Sequence, residues 1–197
     1  MDGPNGSADD ARHALLTFAN THADGGGAIE RFADAEHLHA WLGEVGWLGA
    51  EPGRNVTTDA DAAEARQLRD ALVTVLLAHA NDPAVTDTDL ATAETLLRRA
   101  GQRYPMAADI DRSGARLRPV QDGLPGTLAR VLAAAGELAL AGDWPRIKAC
   151  RNAPCHFAFV DRTRNTSAGY CSPQCASQAS MRAYRARRRT DPSTKKA

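Results

Sequence analysis

The chain has 197 residues, 43% of them hydrophobic and 24% charged, enough for one core of ordinary size and a small appendage, so two unequal domains are expected. It contains no run of eighteen apolar residues, and its start, MDGPNGSADDARHALL, is polar and acidic; this argues against a membrane span or secretory signal and points to the cytoplasm. The net charge of zero hides an asymmetry: twelve of the 24 Lys and Arg but only two of the 24 acids, Asp161 and Asp191, follow Pro145, leaving about −10 before it and about +10 after it.

Gly3, Pro4, Gly6 and Ser7 offer nothing to bury, so residues 1–7 read as a disordered leader. A first helix should start at Asp9 or Asp10 and reach about Asn20, burying Leu15, Leu16, Phe18 and Ala19. THADGGGAIERF interrupts it. Asp34 then caps a second helix in which Leu38, Trp41, Leu42 and Val45 recur at helical spacing until Gly46. The longest helix follows Thr58, with Ala62, Ala65, Leu68, Leu72, Val75, Leu76 and His79 in one stripe, and Pro83 closes it.

A fourth helix begins at Thr86 or Asp87, turns Leu90, Ala93, Leu96, Leu97 and Ala100 inward and stops at Gly101. Between 102 and 120 the period falls to two, with Tyr104 and Met106 before the polar DIDRSG and Ala115, Leu117 and Pro119 after it, which predicts a β-hairpin. A fifth helix spans about 125 to 141, burying Leu128, Val131, Leu132, Ala135, Leu138 and Ala139 and ending at Gly142. Asp143-Trp144-Pro145 is the junction to the basic C-terminal part.

No pattern in this upstream part makes a reactive site. His37 and His39 lie two apart, on different faces of a helix, without converging cysteines or acids. GGG at 25–27 lacks the strand and the lysine of a phosphate loop and reads as a flexible connection; no nucleophile setting such as G-x-S-x-G occurs. No catalytic residue is therefore assigned. Asn20 and Thr21, at a helix end, read as capping groups rather than as the lining of a ligand pocket.

The chemistry lies in the C-terminal part, where all four cysteines fall: Cys150, four residues, Cys155, fifteen residues, Cys171, three residues, Cys175. In a reducing compartment such clustering argues for metal over disulfides, and two short-spaced pairs bring four thiolates around one structural Zn²⁺ at little loop-closing cost. His156 replacing one cysteine is the minor variant. Arg151 to Pro154 form a knuckle, the alternating stretch 156–160 with Phe157 and Phe159 on one face and the turn-rich 165–169 fit a short hairpin packed beside the metal, and Ser172 and Pro173 start a helix. Cys171 and Cys175 then sit at a helix N-terminus, where free N–H groups favour thiolate. Four thiolates leave no open coordination position for a catalytic water.

That last helix displays Gln178, Arg182, Arg185 and Arg189 along one face, with Arg188 beside them, and Met181 and Tyr184 are expected to pack back on the metal core. Arg162 and Arg164, two apart on a strand, would share a side. With Arg187, these arginines suit phosphate contacts. The predicted fold is mainly α: a helical domain over 8–143 with one β-hairpin, a small treble-clef-like zinc finger over 146–190, and a disordered tail over 191–197.

LLTFANT, HAWLGEVGWL and EARQLRDAL in the first part, and IKACRNAPCHFAFVDRTRN, YCSPQC and RAYRARRR in the second, resemble bacterial proteins that pair an ABATE domain with a CGNR-type zinc finger. The resemblance implies a helical N-terminal domain, a four-Cys zinc site and a stress-related transcription regulator that binds DNA. Where the family has C-G-N-R, this chain has Cys175-Ala176-Ser177-Gln178; Ser180 stands for a usual lysine, and Ala168-Gly169-Tyr170 for two arginines and a tryptophan. Each phosphate interaction that these neutral residues remove would make the salt slope shallower by roughly 0.9. The expected partners are DNA, a small-molecule effector of the helical domain and a second copy in a homodimer, with no membrane. The competing expectation is a zinc-stabilised adaptor that binds protein or RNA without reading DNA sequence.

Overall fold

The computed structural model describes residues 4–22, 30–48, 56–112 and 114–190. The expected leader's first three residues, the Gly25–Gly27 connection and the 191–197 tail lie outside them. Six helices carry the fold: α1 (Pro4–Ala19), α2 (Ala35–Glu44), α3 (Asp59–His79), α4 (Asp87–Arg103), α5 (Gly123–Leu140) and α6 (Pro173–Thr190). Two antiparallel pairs accompany them, β1 (Met106–Asp111) with β2 (Gly114–Pro119), and β3 (Ile147–Ala149) with β4 (Ala158–Val160).

The helix starts follow from their caps. The Asp34 carboxylate accepts from the His37 N–H, and Thr58 with Asp61 and Thr86 with Asp89 form reciprocal capping boxes. Gly46 and Gly142 take the left-handed backbone just past α2 and α5. Two boundaries differ from expectation. Helix α1 begins at Pro4, so residues 4–7 of the expected leader are helical. Helix α4 runs through Gly101, which tolerates a helical interior, and ends at Tyr104 because Pro105 disfavours helical backbone in the residue before it.

The core forms where the stripes of α1, α2, α3 and α5 meet: Leu15, Phe18, Leu38, Leu68, Leu72, Leu76, Leu128 and Leu138 are fully buried. Phe18, Phe32, Trp41 and Trp47 stack through it, with neighbouring ring centroids 5.0 to 5.5 Å apart. Arg69, on the buried side of α3, lies over the Phe32 ring at 5.6 Å and donates to Glu30 at 2.5 Å. Val75 is half-buried and Ala139 exposed, because the packed face of each helix is narrower than its apolar stripe. The β1–β2 hairpin places Asp109, Ile110 and Asp111 in strand rather than turn, and it extends far enough that Ile110 is 78% exposed.

The second hairpin corrects the sequence reading. The partner of β4 is β3, which precedes the first cysteine, so the hairpin does not lie between the cysteine pairs; 165–169 is loop, in keeping with its turn-rich sequence. Ile147, Lys148 and Ala149 are all buried, so no alternation marked them as strand. Ile147, Ala149 and Ala158 join the same core as the helices, and α3 packs directly on β3. Polar groups of the helical part close the seam. The Asn20 side chain behaves as one residue of a third strand: its Nδ2 donates to the Ala158 carbonyl (3.1 Å) and its Oδ1 accepts from the Ala158 N–H (2.7 Å). His79 Nδ1 donates to the Ile147 carbonyl (2.9 Å), and His22 Nε2 to that of His156 (3.2 Å). Trp144 stands edge-on to His79 at 5.1 Å, and Arg12 reaches Asp143 at 2.5 Å.

Candidate metal centre and basic helix

Each cysteine is placed by a different local cause. Cys150 follows β3 directly, has no exposed surface, and its N–H donates to the Phe157 carbonyl (3.0 Å). Cys155 closes the knuckle, its N–H donating to the Asn152 carbonyl (2.6 Å). Ser172 caps α6: its hydroxyl accepts from the Cys175 N–H (3.2 Å) and its carbonyl from the Ala176 N–H (3.2 Å). Cys171 and Cys175 thus bracket the first turn, as the capping signal predicts.

The four Sγ atoms lie within 4.8 Å of one another. Two of the edges, Cys155 to Cys171 and Cys171 to Cys175, measure 3.7 Å. A tetrahedron of Zn–S bonds of about 2.3 Å has an edge of about 3.8 Å, so the donor set fits one structural zinc. No other group of three or more His, Cys, Asp or Glu converges among the described residues, and the alternative ligand His156 is not in the cluster. His37 instead contacts its own cap, with Nδ1 2.8 Å from Asp34.

Without a cation the cluster resists ionisation unevenly. Burial pushes the Cys155 thiol up to about 11 and raises Cys171 further. Burial works the same way on Cys175, but hydrogen bonds from Ser172 and Asn152 outweigh it and hold that thiol at about 7. Metal binding therefore releases protons.

Around the sulfurs, side chains fix the module. Asn152 is buried; its Nδ2 donates to Gln178 Oε1 (3.0 Å) and its Oδ1 accepts from Arg182. Two residues of α6 are thereby tied to the knuckle, and Gln178 fills a structural position on this chain. Lys148 and Asp161 form an ion pair at 2.8 Å, each 1% exposed. Lys148 Nζ also donates to the carbonyls of Thr166 (2.7 Å) and Ala168 (3.2 Å), while Asp161 accepts from Thr163 N–H and hydroxyl and from Ala168 N–H. These bonds hold the Asp161 carboxyl well below the usual carboxylate range against the opposing effect of burial. Gly169 lies under Arg151, whose Cδ would stand 2.9 Å from any Cβ there.

The arginines fall into two groups. Arg182, Arg185, Arg188 and Arg189 line one surface of α6 with Met181 and Tyr184. Residues 180–189 are all exposed, so Met181 and Tyr184 do not pack on the metal core as expected, because the knuckle reaches only the first turns of the helix. Arg187, also exposed, is on the opposite side by helical spacing. Arg162 and Arg164 are exposed on the loop after β4, not on a strand; Arg162 borders a groove between α1 and β4, beside Leu16 and Phe157. The sequence offered no distinct signal for Lys148, Asp161 or Asn152, whose partners come from the fold.

No described helix is long and apolar enough to cross a membrane. A comparison with curated proteins finds no match. The zinc-finger family model for the CGNR zinc finger matches residues 146–188, covering the cysteine cluster and all but the end of α6. The ABATE family model, described as "Putative stress-induced transcription regulator", matches residues 12–142, from α1 to the end of α5. With the helical core and the four-sulfur site agreeing with both matches, the chain belongs to the ABATE family and carries a CGNR zinc finger.

Proposed function

We propose that this protein is a DNA-binding transcription regulator in which a zinc-stapled, treble-clef-like finger presents α6 to duplex DNA, and the helical part senses an effector or dimerises. One observation supports the reading above the others: α6 is rooted at the metal ligands, and its distal half, residues 180–189, is exposed throughout and carries five arginines. A rigid root with a cationic, solvent-facing helix suits phosphate contacts that set register and orientation. Arg162 and Arg164, on a loop braced by the Lys148–Asp161 pair, supply further contacts.

The test is binding of the zinc-loaded chain to duplex DNA, duplex RNA and heparin over a salt series, with selection from a random DNA pool. A regulator enriches a defined sequence and binds it far more tightly than the other polyanions. Equal, weak and steeply salt-dependent binding to all three would leave only a general polyanion surface.

A further inference from the structure

We propose that Met181 and Tyr184 are the base-reading residues of α6 and that they recognise thymine methyl groups in the DNA major groove. This rests on the regulator reading above. Both side chains are about half exposed, Met181 at 50% and Tyr184 at 49%, although they belong to a helix whose root lies against a buried metal core. Positions 181, 184, 185 and 188 follow the i, i+3, i+4, i+7 rule and share one face, which Arg189 borders. Arg188 lies over the Tyr184 ring at 5.8 Å, so the ring and a cation are presented together.

The arrangement selects its partner. A helix of about 10–12 Å diameter fills a major groove about 12 Å wide. By helical spacing the order across the face is Tyr184, Arg188, Met181, Arg185 and Arg189, so Arg185 and Arg189 reach the phosphates on one side, and Met181 and Tyr184, on either side of Arg188, meet base edges. Apolar side chains there gain nothing from the polar edges; the apolar group that a base pair offers in that groove is the thymine methyl. Duplex RNA is excluded twice over: its major groove is too narrow for side chains to read, and uracil has no methyl. Arg182, turned back to Asn152, fixes the azimuth of the helix so that Met181 and Tyr184 face outward.

The experiment uses the full zinc-loaded chain and the duplex selected from the random pool. Thymines in the selected site are replaced one at a time by deoxyuridine, which removes only the methyl. Wild type should lose about fourfold in affinity at one or two positions, the fold-change expected for one buried methyl group. Met181→Ala or Tyr184→Ala should bind the thymine site more weakly and lose nothing further on the deoxyuridine site, with zinc content and circular dichroism unchanged. Tyr184→Phe should retain the methyl preference. A selected sequence bound equally with and without its methyls, or variants that keep the full wild-type penalty, overturn this proposal and leave the regulator reading standing. Absence of any selected sequence overturns both.

Discussion

An ammonium and a carboxylate withdrawn together from water must satisfy one another and their remaining hydrogen-bonding capacity, and Lys148 and Asp161 do so. Such a pair adds little over an apolar replacement, yet removing one partner strands a buried charge. Asp161→Asn should therefore destabilise the zinc-loaded chain by about 3–5 kcal/mol, read from the urea midpoint. Lys148→Met should cost less, because three donors to Asp161 remain. The pH dependence has a definite sign. With its folded pKa depressed, Asp161 contributes stability that is present above about pH 4 and lost as the pH falls through the depressed value. Lys148 also shows where sequence counting stops. It is one of the twelve C-terminal cations, but its burial removes it from any nucleic-acid surface.

Helix α6 shows both what sequence patterns reveal and what they leave out. Its start is legible in Ser172 and Pro173, since capping is local chemistry. The surroundings of Met181 and Tyr184 are not, because helical spacing assigns a face without saying whether anything lies against it. Strand β3 escapes the pattern for the opposite reason: three residues buried on both faces carry no period. The distal half of α6 by itself is shorter than the about 12–15 residues below which an isolated helix is marginal in water, so it depends on its root and on its own hydrogen bonds. Ala183→Pro should break that half, at about 3 kcal/mol of local helix stability, while zinc content stays at one per chain. The salt slope for duplex DNA should become shallower by roughly 0.9 for each arginine that leaves the phosphates. An unchanged slope would place the contacts elsewhere.

At the scale of the whole molecule, the charge change at Pro145 and the grouping of the cysteines mark two parts, and the two family matches divide the chain in nearly the same place. The core does not follow that division: Ile147, Ala149 and Ala158 belong to it, and Cys150 comes next in the chain. Zinc binding and folding of the helical part should therefore be linked. With Trp41 and Trp47 as reporters inside the helical part, the zinc-loaded chain should unfold in one transition by fluorescence and circular dichroism. Chelation should lower the midpoint of both signals together; a fluorescence midpoint untouched by chelator would show that the parts fold separately. The two hydrogen bonds of Asn20 to Ala158 carry a consequence for how such a protein can change. A finger lifted from this chain onto a foreign helical partner arrives without the side chain that completes its edge, and its former host is left with an uncovered wall. The parts should therefore not behave as interchangeable cassettes, and a workable transplant should carry Asn20, His22 and His79 with the finger as one matched set of surfaces.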